Sequence, residues 1–373
     1  MDVRAPESPE SAPRLSFFDR NLTVWVALCM ACGGLIGVYS PGAAAALQGI
    51  QIYGVNGIIA ALLWVLLFPM FVVLDFGSLR AVFEAPMAIA LTSVVNWAVK
   101  PFTMWFLGML FFRVLYTRVV PSEEVQKNYV AGLVLLAGAP CTAMVFVWSS
   151  LMGGNTSYTL MQVAVNDLLM LALYIPICGG LIGATNLALP WTTIAEAVGL
   201  FVAAPLLAAA LVRWGVLSAT GGNKQFLEEK IIAPIKPLTT IALLGMLVVI
   251  FIFQGPQLAG RTGDIFLLAV PITIQCVLMW ALAYGLAWKL KIPHERAAPA
   301  SLIATSNFFE LAVALAVSVY GPESPAALAT VVGVLVEVPI MLLFVHVCNR
   351  LKPALDARCL ASAEEPTCGG VKQ

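Results

Sequence analysis

Charge is scarce in this chain. Asp, Glu, Lys and Arg make up only 11% of its 373 residues, acids and bases balance at 20 each, and there are two histidines. A balanced charge carries no electrostatic footprint for nucleic acid. His294 and His346 each fall near the end of an apolar run, which leaves no imidazole-rich metal centre. The eight cysteines have neither the even spacing of a secreted disulfide framework nor the paired spacing of a zinc site. No phosphate-binding loop, paired-carboxylate motif or His-rich cluster lies on an exposed face, so the chain is not read as an enzyme. Residues 1–21 carry Pro, Ser and Glu but no apolar h-region, so no cleaved signal peptide is expected.

Apolar side chains are abundant: 61% of the residues are hydrophobic, more than one globular core can hide. The natural solvent of such a chain is lipid. A helix crossing the roughly 30 Å hydrocarbon layer needs about 20 apolar residues. Ten runs qualify, near 22–40, 54–74, 86–112, 129–153, 158–184, 191–217, 236–257, 264–288, 298–320 and 325–349. The expected architecture is an all-α polytopic membrane protein. It has an N-terminal segment (1–21), a first five-helix repeat (22–184), a second (191–349) and a disordered tail (350–373). Under the positive-inside rule the N-terminal segment, the loops after runs 2, 6 and 8 and the tail hold 15 of the 20 Lys and Arg residues. Both termini are therefore expected to be cytoplasmic, in a plasma (cell inner) membrane. The opposing charges are Arg113, Arg118, Lys127 and Arg261, and three of these four fall in one loop, 113–128.

Five runs on each side of the short loop 185–190 would insert in opposite directions, because five is odd. Inverted repeats place substrate near the midplane, where corresponding helices are interrupted. The fourth run of each half supplies such an interruption. One reads Gly138-Ala-Pro-Cys-Thr-Ala-Met144 and contains a helix-breaking proline; the other, Ala304-Thr-Ser-Asn-Phe-Phe-Glu310, is polar where hydrocarbon is expected. Unwound backbone at that depth is tolerated only under cover of protein or beside water, so helices 4 and 9 are expected to cross next to a cavity.

Four charged residues stand as mid-membrane candidates: Lys100, Asp167, Glu310 and Glu337. Each costs about 2.5–3.5 kcal/mol at mid-membrane on insertion scales and generally marks function. One cation and three acids cannot all stay ionised in a dry core, so at least one acid holds its proton or sits in water. Two readings of Lys100 stand: a counter-ion to an acid in the cavity, with Asn96 four residues earlier on its face, or a side chain snorkelling to the interface. Asn166 and Asp167 are neighbours and point about 100° apart, and Asn166 is taken as the lining residue. Among the cysteines, Cys141 follows Pro140 and faces the gap. Cys178, Cys276 and Cys348 read as small hydrophobes, Cys29 and Cys32 lack an electropositive setting, and Cys359 and Cys368 lie in the tail.

Asn96-Trp-Ala-Val-Lys-Pro101, Ala139-Pro-Cys-Thr-Ala-Met-Val-Phe-Val-Trp148, Ser306-Asn-Phe-Phe-Glu-Leu-Ala312 and Gly333-Val-Leu-Val-Glu-Val-Pro339 together resemble the signature segments of the arsenite efflux permease family, within the bile acid, arsenite and riboflavin transporter superfamily. The resemblance implies ten helices in two inverted repeats, with panel and core domains, and arsenite efflux driven by inward proton movement. It places the essential cysteine at Cys141, the acids at Glu310 and Glu337, and a polar position at Asn166. Arsenous acid is neutral and thiophilic, and a single soft sulfur can select it without trapping it. The expected substrate set is Cys141 as the arsenite ligand, with Glu310, Asn307, Asn166 and Asn96. Glu310 and Glu337 are expected to carry protons. No cofactor is expected, and the partners are arsenite, protons and the bilayer.

Two alternatives remain. A sodium-coupled organic-anion symporter of the same fold would need several oxygens around the ion, where run 4 offers a thiol and Met144. A non-transporting membrane sensor or scaffold would need a signalling domain, and the loops are too short for one.

Overall fold

The computed structural model describes residues 22–49, 51–52, 55–73, 86–142, 144–185, 187 and 191–364. The N-terminal segment 1–21, Arg80, Cys368 and most of the 185–190 loop lie outside the described residues. The helices are α1 (Leu22–Tyr39), α2 (Pro41–Gln48), α3 (Gly57–Val73), α4 (Pro86–Leu115), α5 (Glu123–Ala137), α6 (Val145–Leu151), α7 (Thr156–Gly183), α8 (191–219), α9 (Lys224–Gly260), α10 (Thr262–Lys289), α11 (His294–Thr305), α12 (Phe309–Tyr320) and α13 (Pro325–Glu364). A two-residue antiparallel hairpin, Gln51–Ile52 with Val55–Asn56, leads into α3.

Seven stretches of the described residues are long and apolar enough to cross a membrane: α4, α7, α8, α9, α10, α11 with α12, and α13. Shorter apolar helices are Val24–Tyr39 within α1 and α3. The chain is a helical multi-pass membrane protein. Its centre is the α11–α12 pair, whose most apolar window is 83% buried, against 33% for those of α4 and α10. A mostly buried apolar helix is surrounded by protein, whereas the outer helices turn a face to lipid.

Lipid tails are as apolar as leucine, so helices in a bilayer associate through close packing of small residues rather than through hydrophobic burial. Two contacts show this. Gly33 and Gly37 of α1 let it approach the backbone of α9, where a Cβ on Gly33 would lie 2.6 Å from the Val248 carbonyl oxygen. In the other, Gly132 of α5 meets α13, where a Cβ would collide with the Ala326 carbonyl and stand 2.8 Å from Ala329 Cβ. Gly132→Leu is therefore expected to force α5 off α13 and to destabilise by at least about 1–3 kcal/mol, the usual cost of overpacking, with Gly132→Ala intermediate. Melting of the detergent-solubilised protein measures this, and an unshifted curve for the leucine variant would mean the two helices separate there freely.

Two expectations need correction. The tail is not disordered from residue 350: α13 continues to Glu364. Leu351, Leu355 and Cys359 repeat every fourth residue; Leu355 is fully buried, with the other two packed against the core. Asp356 on the same stretch accepts the His294 N–H at the start of α11 (3.3 Å). The charged segment 218–235 is not an open loop either. Asn223 caps α9 by accepting the Phe226 N–H at 3.0 Å, and the helix then runs from Lys224 to Gly260. At the other charged loop, Glu123 pairs with Arg113 (3.0 Å) and Lys127 (3.2 Å). These contacts, the Arg113 hydrogen bond first, hold its carboxyl below the usual range.

Candidate functional site

Two helices break in the interior. After Ala137 the chain leaves helical geometry and resumes at Val145. Pro140 is the cause: it has no N–H to give, and it pushes the preceding Ala139 toward extended backbone. The second break lies between Thr305 and Phe309, with Ser306 extended (φ −67°, ψ 153°). No proline occupies this gap. Instead Thr305 and Ser306 turn their hydroxyls onto the carbonyls of Ser301 (2.7 Å) and Ile303 (3.2 Å), the local competition by which such residues end helices.

The two breaks cross and bond to each other. Phe308 N–H donates to Ala139 O at 2.9 Å, and Cys141 N–H donates to Ser306 Oγ at 3.3 Å. These bonds run in antiparallel register, with Pro140 and Asn307 facing between them. Pro140 has no N–H to donate across this pair, and the Asn307 donors are taken up by α13 instead. Glu337 of α13 accepts the Asn307 backbone N–H on Oε1 (2.9 Å) and its side-chain Nδ2 on Oε2 (3.1 Å).

Lys100 reaches the same crossing from α4. It is fully buried, and its Nζ donates to Ser306 O at 2.6 Å. The lysine does not snorkel, and its hydrogen bond goes to a backbone carbonyl rather than to an acid. Glu337, Cys276 and Cys141 lie within its electrostatic reach. The α4 backbone widens into a π turn at Val95–Val99 just ahead of Pro101, with Lys100 N–H bonded to Val95 O. Such turns are frequent at functional sites because they re-aim side chains. Gln275 of α10 holds this corner by donating to Lys100 O at 3.1 Å.

Asn166 on α7 accepts from Trp97 Nε1 (3.3 Å), tying α7 to α4 beside Asn96. Asn166 and Asp167 are both buried, although neighbouring residues cannot both face one side squarely. Glu310 occupies the first turn of α12, where helix amides favour an anion, and it lies within electrostatic reach of Glu337.

Buried polar atoms are nearly always paired in folded proteins, yet here many are not. Both amide atoms of Asn96, both carboxylate oxygens of Glu310, Asn166 Nδ2, Asn307 Oδ1, Thr142 Oγ1 and Gln275 Oε1 make no hydrogen bond among the described residues. They gather on the elements that meet at the crossing. The set offers donors, acceptors, a thiol, a cation and two acids to a small polar guest.

The structure therefore brings together Cys141, Asn307, Glu310, Glu337 and Lys100, with Asn96 and Asn166 alongside. Of the other cysteines, Cys276 lies within the electrostatic reach of Lys100, whereas four are placed differently. Cys178 donates to Val134 O (3.7 Å), Cys348 accepts from Trp280 (3.4 Å), Cys359 donates to Lys291 O (3.4 Å), and Cys32 is exposed on α1. Gln275, Trp97 and the Ser306 hydroxyl and carbonyl were not anticipated. Gln275 could have been found as an uncharged amide in the middle of an apolar run.

Comparison with known proteins agrees with this architecture. The family model described as the sodium bile acid symporter family matches residues 60–261, more than half of the chain. An arsenical-resistance protein Acr3 from Alkaliphilus metalliredigens is 41% identical over 338 residues, covering 91% of this chain and 94% of that protein. An uncharacterized transporter of Synechocystis sp. is 42% identical, with 95% and 97% covered. Acr3 of Corynebacterium glutamicum is 29% identical, with 92% and 91% covered. On the matched model and these full-length relatives, the chain belongs to the sodium bile acid symporter family and, within it, to the Acr3 arsenical-resistance proteins.

Proposed function

We propose that this protein exports arsenite from the cell in exchange for protons. The observation that carries the reading is the position of Cys141: a buried thiol in one broken helix, bonded through its backbone to the break in the other. Arsenous acid is uncharged at neutral pH and arsenic is soft, so one sulfur can recognise it. The exchange balances as thiol plus As(OH)₃ giving S–As(OH)₂ and water, and it reverses when water returns. Asn96, Asn166 and Asn307 supply amide groups to the arsenic hydroxyls. Glu310 and Glu337 carry the proton, whose arrival from outside favours release of the cargo there.

Ten crossings in two inverted five-helix repeats suit this cycle. The seven long helices, α1, α3 and the broken α5–α6 make up that number, and α5–α6 and α11–α12 take equivalent fourth places in the two halves. Both termini lie in the cytoplasm, and the membrane is the plasma membrane. The names of two relatives, which are arsenical-resistance proteins, support the cargo. Antimonite shares the same thiophilic chemistry. The family's name raises sodium-coupled symport of an organic anion as the second reading, and a buried ammonium at the crossing argues against it.

Everted membrane vesicles with an acid interior test the proposal. Arsenite should accumulate only with the protein present, without sodium, and should leave when an uncoupler collapses the gradient. Glu310→Gln should reduce gradient-driven uptake by at least about tenfold, the low end for loss of a proton-transfer group. Uptake that needs sodium, or that ignores the pH gradient, would overturn the coupling.

A further inference from the structure

We propose that the Lys100 ammonium is a built-in monovalent cation. It takes, at the broken end of α11, the oxygen-lined position that a small exchangeable cation would otherwise fill, so the crossing needs no metal ion from solution.

The geometry is that of a cation site. Ser306 O, which receives Nζ at 2.6 Å, belongs to the residue that caps the C-terminus of α11. Carbonyls at such an end carry the negative pole of the helix, and the C-terminal ends of half-helices in membranes are where coupling cations are coordinated. Further oxygens belong to residues that are tied into this corner. Glu337 interacts electrostatically with Lys100, while Asn307 Oδ1 and Gln275 Oε1 are buried without hydrogen bonds, each on a residue bonded to a member of the cluster. Oxygen donors of this kind, carbonyl, amide and carboxylate, suit a hard cation.

The lysine is also held in place rather than reaching in opportunistically. Its side chain is fully buried, Gln275 fixes its carbonyl from α10, and the π turn before Pro101 sets the direction of its Cα–Cβ bond. A tethered ammonium gives the positive charge without binding equilibrium or exchange. In a family named for sodium symport, that distinguishes a carrier freed from metal coupling.

The test uses the full-length protein in detergent and in vesicles, at constant ionic strength, in choline, sodium or methylammonium chloride. Wild type should melt at one temperature in all three salts. Lys100→Ala should melt lower, and methylammonium or sodium, but not the bulky choline, should raise it saturably by several degrees, as expected for a ligand that binds only the folded state. Lys100→Met, which fills the space without charge, should not respond. In vesicles Lys100→Ala should lose most arsenite uptake and regain part of it with the same cation. The activity arm rests on the arsenite reading, whereas the melting arm does not: a wild type inert toward arsenite would overturn that reading while melting still decides this one. Saturable stabilisation of wild type by sodium, or indifference of Lys100→Ala to every small cation, overturns the proposal. If Lys100→Ala does not fold, Lys100→Gln decides: this side chain can still donate to Ser306 O, so wild-type melting and uptake would show that charge is not required.

Discussion

Replacing Cys141 by serine is expected to lower arsenite transport by roughly a hundredfold, equivalent to about 2.7 kcal/mol in the barrier, with little change in melting temperature. The substitution is nearly isosteric. Its backbone N–H donates to Ser306 Oγ, a bond that a serine can also make, so the link between the two breaks is kept. What it loses is softness. An arsenic–oxygen bond to serine offers no advantage over the bonds to water that arsenous acid already has, whereas an arsenic–sulfur bond does. Cys178→Ser and Cys348→Ser should leave uptake unchanged, because those sulfurs are engaged with Val134 O and Trp280. Paired uptake and melting measurements check all three. Full uptake by Cys141→Ser would remove the soft ligand from the mechanism, and an equal loss in Cys178→Ser would point to packing instead.

How far this site could be read in advance depended on whether a signal was local. Pro140 announces its own break, because the missing N–H and the ring clash are properties of one residue. The polar run Thr305-Ser-Asn307 marks the second break for a similar reason: its side chains compete with the helix ladder. The bonds between the breaks are not local. Lys100 and Ser306 are separated by 206 positions, and Gln275 and Lys100 by 175, so no pattern along the chain could pair them. A search by charge found Lys100 but passed over Gln275, although a neutral amide also needs a partner away from water. The helical tail was misread because Pro353 and the charges around it suggest a solvated segment, while the stripe of Leu351, Leu355 and Cys359 gains meaning only once the core it packs on is known.

Glu337 separates structure from transport most sharply, since its two oxygens are both occupied by Asn307. Glu337→Leu would leave the Asn307 backbone N–H and its amide without their acceptor. Each buried unsatisfied group costs about 1–3 kcal/mol, and the backbone here is already unwound and cannot regain the donor through a helix. The leucine variant is therefore expected to melt far below wild type or not to accumulate. Glu337→Gln behaves differently. Its Oε1 can still accept the Asn307 N–H, and its new Nε2 donor can meet Asn307 Oδ1, which makes no bond in the wild type, once that amide turns over. The glutamine variant should thus melt close to wild type, so any loss of transport reports on the charge and the exchangeable proton alone. A fall of at least about tenfold in gradient-driven uptake, in the range for removing a proton-transfer group, would assign Glu337 to the proton path beside Glu310. Unchanged uptake would make it a clasp for the crossing and leave Glu310, whose oxygens have no side-chain partner among the described residues, as the group that titrates. Because the leucine variant fails through the backbone and the glutamine variant only through charge, the difference between the two measures how much of the site's chemistry is separable from the break that creates it.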